Sequence, residues 1–266
     1  MRRAIALFGL GVGTLAVAGC AAVFGDWYQA EEAFHYQYPI SAGGTLELEN
    51  RDGPVEISGW DRNEVDISGT KYASTTERLK DIRVDVKATS SSVSIRTVRP
   101  DSLWERGSVR YIIRVPRGVE LTRVETSNGP IDVEGTDASA HLHTSNGPVR
   151  VTDVRGEIDV ETSNGPVRVA DASGPAKLRT SNGPIDLMED SVHEVHARTS
   201  NGPITLRIPS DAGAVLRAHT SNGSVHSDFD IRTNDPDSDD VAGTIGRGGP
   251  VLDLSTSDGP IQLLKR

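Results

Sequence analysis

From residue 120 to residue 264 apolar and polar positions alternate with period two on both sides of a recurring tetrapeptide, Thr-Ser-Asn-Gly. The tetrapeptide begins at Thr126, Thr144, Thr162, Thr180, Thr199 and Thr220, and Thr256 opens the variant Thr-Ser-Asp-Gly. Two residues before each threonine stand Val124, Leu142, Val160, Leu178, Ala197, Ala218 and Leu254. Four before stand Thr122, Ala140, Ile158, Ala176, Val195, Leu216 and Leu252. Beyond the turn, Ile131, Val149, Val167, Ile185, Ile204, Val225 and Ile261 form one column, and Val133, Val151, Val169, Leu187, Leu206, Ser227 and Leu263 the next. Of these 28 positions 26 are apolar, while the interleaved columns are polar in all 21 cases. Such alternation turns one face of a strand to a core and the other to solvent.

Each unit therefore supplies two short strands joined at an Asn-Gly corner, a residue pair that tolerates positive φ. The spacings are 18, 18, 18, 19, 21 and 36 residues. Neither strand can bury its apolar face alone, whereas stacking the units in chain order builds one continuous core and pairs each strand with its equivalent in the next unit. An antiparallel meander would pair unlike strands, and a repeat that returns the same turn, face and direction argues against it. The expected fold is all-β: a single parallel β-solenoid of about 18-residue coils, with irregular N-terminal rungs. Residues 45–57 read as a first rung, with Asn50-Arg51-Asp52-Gly53-Pro54 as a degenerate corner. Residues 64–67, 82–87, 92–98 and 109–115 read as further strands, and 74–80 as a short helix or loop. Residues 228–249 hold six aspartates and read as an acidic loop before a last rung at 250–264. The solenoid is thus expected over 45–264.

Aromatic residues are 5% of the 266-residue chain and glycines number 27, a mix suited to turn-rich β structure around aliphatics. The formal net charge of −10 argues against nucleic acid or a bare anionic membrane as partner, since both need a basic surface. The single cysteine excludes an intrachain disulfide framework.

That cysteine closes a segment with its own meaning. Arg2 and Arg3 precede an apolar run from Ala4 to Gly19, short for a membrane span, which needs roughly 20 apolar residues, but right for a signal peptide. The run ends in Val17-Ala18-Gly19-Cys20, which resembles the bacterial lipobox. The resemblance implies a signal peptide at 1–19, acylation of Cys20, and a membrane partner reached through the lipid anchor. Ala21 after the cysteine implies the outer membrane if the host has one. The stretch 20–44 reads as an anchor followed by an aromatic-rich tether or cap. It carries Phe24, Trp27, Tyr28, Phe34, Tyr36 and Tyr38, suited to covering an open solenoid end or to lying among lipid headgroups.

Taken with its repeats, the chain resembles the bacterial "putative adhesin" β-solenoids, envelope domains of unknown function with recurring Thr-Ser-Asn-Gly turns. The resemblance spans about 45–264 and includes Tyr111-Ile112-Ile113-Arg114-Val115-Pro116 and Gly243-Thr244-Ile245-Gly246. It implies a solenoid on the cell envelope and carries no catalytic motif.

Candidate chemistry is sparse. A ladder of Asn128, Asn146, Asn164, Asn182, Asn201 and Asn222 reads first as turn structure, because each residue of the corner has a turn-making role; a glycan or ion ladder is the sharper reading. His143 has Glu125 and Glu161 as column neighbours, a surface ion-pair ladder or, less directly, a metal position. Arg150 and Arg168 stand together between Asp132 and Asp186 and form a candidate grip for a carboxylate or phosphate. There is no Gly-x-Ser-x-Gly elbow, phosphate loop or dinucleotide fingerprint, so no cofactor is implied and no catalytic residue stands out. The expected function is a non-catalytic, lipid-anchored envelope protein displaying a rigid solenoid to an envelope protein or glycan. An accessory or sensor module of an envelope-stress system and a glycan-active enzyme are the alternatives.

Overall fold

Period-two alternation becomes strand wherever it runs. The computed structural model describes residues 29–100, 107–232 and 240–266. Its N-terminal part forms β1 (Ala30–Pro39), β2 (Thr45–Glu49), β3 (Val55–Trp60), β4 (Glu64–Ala73), the single-turn helix α1 (Thr76–Leu79), β5 (Arg83–Ala88), β6 (Ser92–Val98) and β7 (Gly107–Pro116). The repeats then form a strand on each side of every corner: β8 (Glu120–Asn128) and β9 (Ile131–Thr136), β10 (Ala140–Asn146) and β11 (Val149–Val154), β12 (Ile158–Asn164) and β13 (Val167–Ala172). They continue through β14 (Ala176–Asn182) and β15 (Ile185–Glu189), β16 (Val195–Asn201) and β17 (Ile204–Ile208), β18 (Ala214–Asn222) and β19 (Val225–Ser227). The acidic excursion carries β20 (Ile231–Arg232) and β21 (Asp240–Ile245), and β22 (Val251–Asp258) and β23 (Ile261–Lys265) follow.

The fold is all-β, with parallel-rich sheets. Strands before the corners lie in a 12-stranded sheet and strands after them in an 11-stranded one. In the central repeats equivalent residues pair: Ala140 with Ile158, Leu142 with Val160 and Thr144 with Thr162 in one sheet, Val149 with Val167 and Val151 with Val169 in the other. The chain changes sheet at each corner and returns one strand further on. The inward columns of both sheets merge into one core. Val149, Val151, Ile158 and Val160 are each at most 1% exposed, and burial of each such side chain contributes roughly 1.5–3 kcal/mol.

Stacking in chain order fails at both ends. The strands of 250–264 are not last in space: β22 lies between β16 and β18, and β23 between β17 and β19. At the other end β2 lies between β6 and β8, and β3 between β7 and β9, so 45–57 is not outermost either. In both places the chain lays down an outer and an inner rung out of order. Antiparallel strands then flank the outermost parallel rungs, with β4 on β7 and β1 on β4, β5 on β6 and β21 on β18. The edges are thereby shifted from parallel rungs to the antiparallel strands β1, β5 and β20, while β19 stays a short parallel edge of three residues; short edge strands template further pairing poorly. On β1 the Phe34 ring meets buried Tyr111 edge-on at 5.7 Å, and Tyr36 and Tyr38 follow along the strand.

Two local expectations also change. The core position expected of Thr122 belongs to Leu121, which is fully buried and pairs with both Ala140 and Leu46. A register shift in β8 absorbs the extra residue, so the apolar side chain takes the dry slot. The corner asparagines have ordinary negative φ; among the described residues only Asp153 and Asp171 are non-glycine positions with positive φ. The corner glycines do take positive φ, 154° at Gly129 and 158° at Gly165, and they are needed for a second reason as well. A Cβ on Gly147 would lie 2.1 Å from the Gly129 carbonyl oxygen, so backbone approaches backbone from rung to rung too closely for any side chain.

Candidate functional site

Each corner is a set of polar ladders. The corner threonines turn inward, and Thr144, Thr162 and Thr180 donate from Oγ1 to the carbonyl oxygens of Gly129, Gly147 and Gly165 at 3.1, 3.4 and 3.1 Å. The glycine N–H groups donate across the same gap, Gly147 to Asn164 and Gly165 to Asn182, both at 2.9 Å. The asparagine amides complete the set. Asn146 donates to Asn128, Asn164 to Asn146, Asn182 to Asn164 and Asn201 to Asn182, at 2.8–2.9 Å. Asn222 donates to Asp258 at 2.8 Å, and Asn128 to Asp52 in the degenerate corner at 2.5 Å. Backbone groups that a bend would leave bare are thus met by the neighbouring rung, and the amides' best donors and acceptors face one another along the stack.

The structure places His143 opposite both Glu125 and Glu161. Glu125, however, is held by Arg123, Nε to Oε1 at 2.7 Å. That guanidinium draws the Glu125 carboxyl below the usual carboxylate range against the opposing effect of burial, and His143 acts in the same direction as Arg123. Among the described residues no carboxylate lies within ion-pair distance of His143, and no group of three or more His, Cys, Asp or Glu is arranged to hold a metal ion.

On the outer face of the 11-stranded sheet, Asp132, Arg150, Arg168 and Asp186 stand in one row on four successive strands. Arg168 Nε is 3.6 Å from Asp186, and Arg150 is exposed. Burial raises the Asp132 carboxyl pKa and Glu56 adds to the rise, while Arg150 opposes it. The two arginines, with Arg207, Asp186, Thr152 and Met188, line an open concavity of about 430 Å³. Arginines on neighbouring strands, whose backbones lie about 4.8 Å apart, can bring both guanidiniums to one carboxylate or phosphate oxyanion. Arg207 has no signal in the repeat columns read from the chain. It enters because Met188 and Arg207 pair across β15 and β17.

A second basic row lies on the 12-stranded sheet, where Arg179 stands opposite Arg198. This adjacency was present in the column one residue before each corner threonine. Its continuation was not: Arg198 faces Ser255 because β22 is inserted there. Cys20 and the signal segment lie outside the described residues. Among those that are described, no helix is long and apolar enough to cross a membrane.

A two-sheet repeat stack with polar corner ladders and charged outer faces is the class of protein these features define. The chain belongs to the Toastrack DUF4097 family, whose model matches residues 35–264. Among solved structures it is similar to a "putative cell adhesion protein" from Clostridium sporogenes ATCC 15579, with 13% identity, 88% of this chain and 100% of that chain covered, and a TM-score of 0.40. It is also similar to a "putative adhesin" from Bacteroides fragilis NCTC 9343, with 13% identity, coverage of 88% and 97%, and a TM-score of 0.47. A "putative adhesin" from Parabacteroides distasonis ATCC 8503 shares 9% identity, with coverage of 88% and 97% and a TM-score of 0.42. No curated protein matches the chain.

Proposed function

We propose that this protein is a non-catalytic, lipid-anchored component of the cell envelope that displays a β-solenoid of about 18-residue coils for adhesion or for contact with an envelope protein or glycan. The observation that carries the reading is the contrast between the inside and the outside of the stack. Inside, uniform aliphatic columns and the threonine and asparagine ladders make a stiff, self-satisfied rod. Outside, charged and polar residues vary from strand to strand, and Asp132, Arg150, Arg168 and Asp186 form one such row. A surface of that kind discriminates partners by charge pattern, which sets specificity and encounter rate. The lipobox-like run ending in Cys20 supplies the address, and several acyl chains on one cysteine anchor firmly where a single chain is marginal.

Cross-linking on intact cells and fractionation of their envelopes test this. The wild-type chain is expected to stay with membranes through a carbonate wash and to capture an envelope protein or glycan. The Cys20→Ser chain is expected to lose acylation and appear in the soluble fraction. Retention of Cys20→Ser in washed membranes would overturn the anchor, and a wild-type chain that captures nothing in the envelope would overturn display.

A further inference from the structure

The outer face of the 12-stranded sheet has two charged columns of different construction. In one, side chains pair strand by strand: Lys177 lies 3.0 Å from Asp159, and His196 lies 2.9 Å from Glu194 and 3.4 Å from Asp253. In the other, Arg179 on β14 stands directly opposite Arg198 on β16. Both side chains are exposed, and among the described residues neither has a carboxylate within ion-pair distance. Like charges directly opposite on neighbouring strands are destabilising, and the pair has only Glu161, the register partner of Arg179 on β12, as a nearby counter-charge, with no ion pair formed to it.

The row continues through the inserted strand. In a stack following chain order Arg198 would face His219. Insertion of β22 puts the Ser255 hydroxyl beside Arg198 and moves His219 one strand further out. Arg179, Arg198 and Ser255 line one side of an open concavity of about 330 Å³, with Lys177, His196 and Asp253 along the other.

We propose that Arg179, Arg198 and Ser255 form a binding site for a single phosphate group. Each guanidinium presents a fork of N–H donors, and the hydroxyl adds another. The three residues lie on three successive strands, a row about 10 Å long at the usual strand spacing. A carboxylate offers two coplanar oxygens and one negative charge, whereas a phosphate group adds a third terminal oxygen out of that plane and up to a second charge, which matches two forks and a hydroxyl better. The margins set the size of the ligand. Glu161 faces Arg179 at one end of the row and His219 follows Ser255 at the other, while Asp253 stands beside Ser255 on β22 opposite His196, so negative charge closes the Arg179 end and limits extension of a polyanion there. The site lies away from the Arg150 and Arg168 row and does not depend on the lipid anchor.

The test uses the full-length chain in detergent, titrated calorimetrically with inorganic phosphate against chloride at matched ionic strength. Arg179→Gln and Arg198→Gln are compared with Arg83→Gln, which removes the same charge from an exposed position on β5. Saturable phosphate binding is expected in the wild type and in Arg83→Gln, weakened about tenfold or more in either row variant, the effect of losing one charge-assisted contact. With phosphate absent and at low salt, the row variants are also expected to melt higher than the wild type, because the opposed charges are gone. A second arm distinguishes the source of the phosphate. Sedimentation with phosphatidylglycerol vesicles but not with phosphatidylcholine vesicles, lost in the row variants, assigns the site to lipid headgroups. Binding of inorganic phosphate without vesicle sedimentation assigns it to a soluble or glycan-borne phosphate. No saturable phosphate binding, or equal binding by the row variants and the wild type, overturns the site.

Discussion

Glu189 occupies a slot that its neighbours give to smaller groups. It pairs with Ala172 across β13 and β15, as Val154 pairs with Thr136 two turns of the stack earlier, and all four are fully buried. Its Oε2 accepts the His193 backbone N–H at 3.3 Å, while Oε1 is buried without a partner. Burial raises the carboxyl pKa to about 7, partly opposed by that hydrogen bond. The folded state therefore holds the proton more tightly than the unfolded chain does. The stability contributed by the protonated acid is fully present below the ordinary carboxylate pKa and is lost as pH rises through about 7. The Glu189→Gln variant keeps the acceptor and removes the ionisation. It is expected to match the wild type near pH 4 and to exceed it by about 1–3 kcal/mol at pH 8. Denaturant midpoints at the two pH values check this, and equal midpoints at pH 8 would mean that the carboxylate is hydrated in the folded protein. The slot was hard to read from the chain because Glu189 lies where the repeat lengthens from 18 to 19 residues, and alternation does not say which neighbour of an extra residue turns inward.

At the scale of the element, the pairing register makes a sharp prediction about deletions. Removing 144–161 takes out one Thr-Ser-Asn-Gly corner, β11 and the strand ends on either side, and joins His143 to Thr162 as it is now joined to Thr144. Every later side chain keeps its face. The core loses one aliphatic layer, but the ordering entropy of those residues is recovered, so in a nearest-neighbour stack the net loss is modest. Removing 144–152 instead joins strands out of phase, and a one-residue slip in period two reverses every face. The longer deletion is expected to fold cooperatively with β-type circular dichroism, and the shorter one to aggregate or be degraded. Equal tolerance of the two would contradict the register seen between β10 and β12.

For the whole molecule the decisive feature is the order of the rungs. Because β22 and β23 lie inside the stack, truncation after Gly249 does not shave off an end. It leaves β18 and β19 with no parallel neighbour on the inner side and opens β16 and β17 to water. Hydrogen exchange of the truncated chain is expected to show loss of protection across 214–245, with 140–182 still protected, since stability in such stacks is set by nearest neighbours. Unchanged protection of 214–222 would contradict the insertion. The same insertion makes the row of Arg198, Ser255 and His219, so truncation is also expected to abolish phosphate binding there.

The local period of the chain settled the strands, the faces and the corners, because alternation and turn chemistry act over a few residues and repeat in every unit. The columns of Val149, Val151, Ile158 and Val160, the asparagine ladder and the opposition of Arg150 to Arg168 were legible on that basis. Strand order at the ends was decided by the tertiary structure alone. The rungs present nearly the same apolar columns and corner, but the one at Thr220 carries Ser224 in place of the corner proline and Ser227 in place of an apolar column residue, whereas the one at Thr256 carries Pro260 and Leu263, so the rung at Thr199 meets the one at Thr256 at least as well as it would meet the one at Thr220. Those serines make the Thr220 rung the less apolar of the two, but local pattern alone does not say which strand lies beside which. The choice falls to what lies around the repeats: the antiparallel cover of β21 on β18 and the packing of Phe229 and Ile245 at that end both need β18 outermost. The placement of Ser255 beside Arg198 follows from that choice.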